Sequence, residues 1–183
     1  MVRIFLVLLF ALAGGASCKG GEVAKISAAY EVPTASAKER AQLLVAMQEH
    51  AARSGYHVDH ASDQEFALSP EWARRTFSAS VWAGANDDEY IASAMNEPPT
   101  SGRVWLSFRR GQKSGQADRF KTSLMQEVRT LWPETKELPI LDGETIPLPD
   151  DLVIDGDRYI LNPAAADRYN VPDAPSADPT PAS

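Results

Sequence analysis

Hydrophobic and polar positions along this chain repeat with two different periods. After Ser36-Ala37-Lys38-Glu39, where a serine and a glutamate stand three apart as in a capping box, Leu43, Leu44, Met47 and Ala51 fall on one helical face. Gly55 suits the left-handed residue that stops a helix, so the pattern predicts a helix over residues 37–54. Phe120, Leu124, Val128 and Leu131 step by three and four with Met125 and Trp132 beside them. They predict a second amphipathic helix, capped by Asp118 or Ser114 and ended before Pro133.

Between the helices the period drops to two. Phe77, Ala79, Val81 and Ala83 alternate with Ser78, Ser80 and Trp82, and residues 84–88 carry hairpin-turn chemistry. Tyr90, Ala92 and Ala94 alternate with Ile91, Ser93 and Met95. Val104, Leu106 and Phe108 alternate with Arg103, Trp105, Ser107 and Arg109. This predicts an antiparallel meander, with Tyr56–His60 as an edge strand, residues 138–141 as an edge at most, and residues 159–161 as a further strand. The expected fold is α+β: a three- to five-stranded antiparallel sheet with both amphipathic helices packed on one face. One domain spans residues 36–162. Residues 18–35 read as a tether, although Val23–Ala37 could dock as an edge strand. Residues 163–183 form a Pro/Ala-rich tail with too little apolar bulk to offset the entropy of ordering.

The N-terminus has a different logic. Arg3 is followed by the uncharged apolar run Ile4–Ala13 and then by Gly14, Gly15, Ala16 and Ser17, the order of a secretory signal over residues 1–17. The run is too short to span a bilayer, which takes about 20 apolar residues. Cys18 is the only cysteine, so no internal disulfide is available to it. The stretch Gly15-Ala16-Ser17-Cys18 resembles the lipobox of bacterial lipoproteins, with Gly15 standing where an aliphatic residue is usual. The resemblance covers residues 1–18 alone and implies cleavage before Cys18 and acylation of its thiol. Lys19, in place of an aspartate, implies by the same resemblance the periplasmic face of an outer membrane. An ordinary signal, leaving a free thiol, is the alternative.

The net charge of −7 argues against nucleic-acid partners and against a polybasic membrane patch. Catalytic patterns are sparse. His57, Asp59 and His60 lie close in sequence, but on a strand the two imidazoles would point to opposite faces, so no metal is expected there. His50 falls near the exit of the first helix. Glu65, Glu71, Asp87, Asp88 and Glu89 could supply a glycosidase-type carboxylate pair, or could be turn and surface residues. Asp150, Asp151, Asp155 and Asp157 lack the spacing of a calcium loop and read as turns around a short strand. No serine sits in a nucleophile elbow, and Gly111–Gly115 lacks the glycine spacing of a phosphate loop. No cofactor is called for.

The outer sheet face remains. Trp82 and Trp105 flanked by Arg103 and Arg109 would make an aromatic, cationic patch suited to a protein partner or a sugar. The competing reading has residues 140–161 folding over both rings as a second small core. The function expected is a non-catalytic, lipid-anchored envelope protein that binds a protein or a cell-wall component. The alternatives are a lipid-anchored cell-wall or glycan hydrolase using a carboxylate pair, and an immunity-type inhibitor of an envelope toxin.

Overall fold

The structure, a computed structural model, describes residues 25–60, 77–84, 89–96, 102–111, 113–142 and 145–170. The signal sequence, Cys18, Glu65, Glu71, Asp87, Asp88 and residues 171–183 lie outside them.

The first helix, α1, runs Ala37–Arg53. Ser36 Oγ accepts from the Glu39 amide at 3.2 Å, and the Glu39 carboxylate accepts from the Ser36 amide at 2.8 Å, so two of the helix's unsatisfied donors are met reciprocally. Gly55 follows the Ser54 cap at φ 71°, where a side chain would be strained. The second helix, α2, runs Ser114–Leu131 and has no side-chain cap. Asp118 does not cap it; it lies one turn in and pairs with Lys121 at 3.3 Å. Leu131 is exposed, and Trp132, just past the helix end, takes the buried place instead.

Among the described residues eight strands form one sheet in the order β2-β3-β4-β5-β1-β6-β8-β7. They are β1 (Ile26–Val32), β2 (Tyr56–His60), β3 (Ser78–Ala83), β4 (Glu89–Asn96), β5 (Val104–Arg109), β6 (Lys136–Glu137), β7 (Leu152–Asp155) and β8 (Arg158–Leu161). All neighbours are antiparallel except β6 and β8. Leu43 and Met47 of α1 and Phe120, Leu124 and Val128 of α2 share one core with Val32, Val81, Val104, Leu106 and Phe108. Both helices thus cover one sheet face.

The α+β class is as expected, but the strand number is not: eight replace three to five. The largest correction concerns β1. It is no tether or edge but an inner strand, paired with β5 on one side and β6 on the other. Its alternation is hidden because Ala28, Tyr30 and Val32 face the helices while the opposite positions are Ala29 and a buried glutamate, Glu31. The ordered chain also continues past residue 162, through the 3-10 helix Pro163–Tyr169, where Ala165 and Ala166 are buried.

A second, smaller core lies on the other face. Ala29, Leu138 and Tyr159 are buried there, with Trp105, Ile140, Ile146 and Leu152 packed against them.

Candidate functional site

Four antiparallel registers build the outer face as rows. Trp82 stands opposite Tyr90 and His57; Ser80 opposite Ser93 and Asp59; Ser93 opposite Ser107; Met95 opposite Trp105; and Glu31 opposite Trp105. Trp105 and Arg109 are four residues apart on β5, so the row holding Arg109 lies about 13 Å along the strand from the row holding Trp105.

The four residues expected to share one patch therefore divide into two clusters. Trp105 packs on the second core, and Arg103, exposed, stands at its edge. Trp105 Nε1 donates to Glu31 Oε2 at 3.1 Å, Arg103 Nη1 donates to Glu31 Oε1 at 3.1 Å, and the Tyr159 hydroxyl donates to the same oxygen at 2.6 Å. The segment over Trp105 comes from residues 138–161, as the covering alternative expected for this ring. Among the described residues this core does not include Trp82.

Trp82 and Arg109 meet around Tyr90 instead. The Trp82 and Tyr90 rings lie 4.8 Å apart at 39°, and the Arg109 guanidinium sits 5.1 Å above the Tyr90 ring. A β-bulge makes this possible. Val81 pairs with Ala92 but Trp82 pairs with Tyr90, so Ile91 is an extra residue on β4. Ile91 and Ala92 both turn into the core, and Tyr90 changes side to join Trp82. Strict alternation had put Tyr90 with Ala92 and Ala94; the bulge is why it is not there. Between the two clusters lies a floor of small hydroxyls, Ser80, Ser93 and Ser107, with Ser93 Oγ and Ser107 Oγ 2.8 Å apart. Trp82, Tyr90 and Arg109 are each half-buried, and His57 beside them is exposed.

The histidines separate as strand geometry requires. His57 lies opposite Trp82 on the outer face, while His60 contacts Phe77 at 5.6 Å on the helix side. Among the described residues no group of three metal-ligating side chains converges. Of the carboxylates weighed for catalysis, only Glu89 is described; it lines a shallow cleft with Tyr56, Lys113 and Gln116.

One constellation escaped the sequence reading. His50 of α1 is buried against α2, with Nδ1 2.9 Å from Ser123 Oγ and Nε2 2.7 Å from Glu127 Oε2. The signal was present: His50 follows Met47 by three residues, on the buried stripe of α1, and Ser123 and Glu127 are one turn apart on α2. A serine, an imidazole and a carboxylate in contact are the components of an activated nucleophile. The surroundings do not complete one. Ser123 sits mid-helix, where backbone amides serve the helix and none is available as an oxyanion donor, and its hydroxyl also bonds the Phe120 carbonyl at 3.1 Å. The triple reads as a polar clamp between the helices, beside a cleft of 380 Å³ lined by Arg53, Gln116 and Arg119.

Comparison of the chain with protein-family models, with curated proteins and with solved structures gives no match.

Proposed function

We propose that this chain is a non-catalytic envelope lipoprotein, held to the periplasmic face of an outer membrane through an acylated Cys18, whose folded domain binds a protein or a cell-wall component. The observation that carries the binding half is the Trp82–Tyr90–Arg109 stack beside the serine floor on the outer face. Two rigid aromatic rings and a guanidinium supply contact area and hydrogen-bond donors at little cost in side-chain entropy. The anchoring half rests on the lipobox resemblance and on Cys18 being the sole thiol.

Two measurements test the reading. Mass spectrometry of the mature N-terminus is expected to give a chain that begins at an acylated Cys18; an unmodified thiol removes the anchoring. Photo-crosslinking in cells from position 57 or 95, both on the rim of the outer face, is expected to trap one envelope component. That adduct should be lost on Trp82→Ala. Crosslinking that does not depend on Trp82 removes the binding face.

A further inference from the structure

We propose that the end of the sheet where β1 begins docks on the anionic headgroups of the bilayer that holds the chain. The inference rests on the anchoring at Cys18 proposed above and adds an orientation to it.

Chain length sets the first constraint. Only residues 19–24 separate Cys18 from Lys25. An extended chain spans at most about 3.6 Å per residue, so Lys25 stays within about 25 Å of the anchored residue. The end of the domain closest to the anchor is thus fixed by covalent structure. It contains the Ile26–Arg109 pair, the Ala83–Glu89 pair and the start of α2.

Charge supplies the second. Lys25, Arg110 and Lys113 are all exposed at this end, and none of the three is in an ion pair among the described residues. The Arg110 amide donates to the Lys25 carbonyl at 3.0 Å, which holds their two backbones together. A shallow cleft of 310 Å³ lies there, lined by Lys25, Ile26, Ser27 and Arg110, with room for a phosphate group. Around the corner is the row of Trp82, Tyr90 and Arg109, residue types that settle at the water–lipid boundary. Glu89 belongs to the same end, its carboxylate beside Gly111 and lining a cleft with Lys113, and Asp87 and Asp88 adjoin it in sequence. Acidic groups thus offset part of the attraction at Lys113, and the cleft between Lys25 and Arg110 carries most of it. The net charge of −7 conceals this cluster.

The ligand chemistry is a phosphodiester on an anionic lipid. A cation near such a surface contributes about a fivefold factor in binding, so three contribute at most about a hundredfold before the offset from Glu89. That is weak for a free protein. It suffices for one tethered within about 25 Å of the surface, because the tether already supplies an effective concentration on the order of millimolar.

The sole cysteine makes the test independent of what the cell attaches. The chain from Cys18 onward retains every described residue, since these begin at Lys25. It is coupled through Cys18 to a maleimide-bearing lipid in vesicles of phosphatidylcholine, with or without phosphatidylglycerol. Amide hydrogen exchange at residues 25–27 and 109–113 is expected to slow at least about fivefold on the phosphatidylglycerol vesicles. The difference should vanish in about 1 M salt, where the Debye length is about 3 Å. It should also vanish in Lys25→Gln/Arg110→Gln, two exposed positions whose neutralisation leaves the core untouched. Equal exchange on both vesicle types overturns the docking, as does slowing confined to other segments such as β7. An acylated native N-terminus with no slowing leaves the anchor standing and removes the docking; slowing in the coupled protein with no native acyl group does the reverse.

Discussion

The Tyr159 hydroxyl donates to Glu31 Oε1 across 2.6 Å, joining residues 128 positions apart in the chain. Glu31 is buried in the central strand β1, and it also accepts from Arg103 and Trp105. This carboxylate ties the C-terminal strands β6, β7 and β8 to the meander. Removing it takes the shared acceptor from three donors, of which Trp105 and Tyr159 are the more enclosed. Removing the phenol oxygen loses its bond to Glu31 and the one it accepts from Arg103 at 3.3 Å, but leaves the carboxylate paired with Arg103 and Trp105. Glu31→Ala is therefore expected to destabilise by about 2–4 kcal/mol and Tyr159→Phe by about 1–2 kcal/mol. Urea unfolding measures both; equal and small losses would mean that Glu31 is not the tie.

The same contact sets an alkaline limit. Burial, followed by the hydrogen bond to Glu31 and the charge of its carboxylate, pushes the Tyr159 phenol up from its ordinary 10.0 to about 12. The unfolded phenol ionises near 10.0, so the folded state binds the proton more tightly. The stability this contributes is complete below pH 10 and is lost as the pH climbs through about 12. Thermal melts between these values should show a steep fall for the native chain and a shallower one for Tyr159→Phe. Parallel slopes in the two proteins would assign the alkaline loss to other groups.

Why β1 was illegible as an inner strand, while a second core from residues 140–161 was anticipated over Trp105, follows from these residues. Local signals were strong where the chain interacts with itself at short range: the Ser36–Glu39 capping box, Gly55 and the antiparallel meander appear as read, except for the side taken by Tyr90. Glu31 gave the opposite signal. A carboxylate between Tyr30 and Val32, with Pro33 directly after, does not read as an inner strand, and only partners far along the chain make its burial tolerable. Strand β6 is two residues long and has no period to detect. The bulge at Ile91 shifted Tyr90 to the other face by inserting one residue, a change that binary patterning cannot register. The site was thus half legible: the right residue types were identified, but their grouping was not.

The interhelical clamp makes a stability prediction with an internal control. His50 is 8% exposed, whereas Glu127 is 40% exposed. His50→Ala removes packing volume and both polar contacts, and is expected to cost about 2–3 kcal/mol. Glu127→Gln keeps an acceptor at a half-exposed position and is expected to cost under about 1 kcal/mol. Chemical denaturation distinguishes the two. If Ser123→Ala abolished a measurable esterase activity while leaving stability unchanged, the clamp reading would be replaced by a catalytic one.

Asp151 allows the asymmetry of a half-buried ion pair to be measured. Its Oδ1 receives Arg168 Nη1 at 2.7 Å and its Oδ2 receives the Tyr169 hydroxyl at 2.7 Å, which pins the 3-10 helix Pro163–Tyr169 beside the start of β7. The Asp151 side chain is 5% exposed and that of Arg168 is 68% exposed. Loss of Asp151 sets free a cation that rehydrates at once, and the Tyr169 oxygen still accepts from the Leu148 amide at 2.9 Å. Loss of Arg168 instead leaves a buried carboxylate without its countercharge, the costlier outcome for such pairs. Arg168→Ala is therefore expected to destabilise by about 2–4 kcal/mol, and Asp151→Asn by about 1–2 kcal/mol. The double variant should recover most of the difference, because the stranded charge is gone. Additive losses in that double-mutant cycle would show that the two side chains contribute independently and that the pair does not hold the C-terminal turn in place.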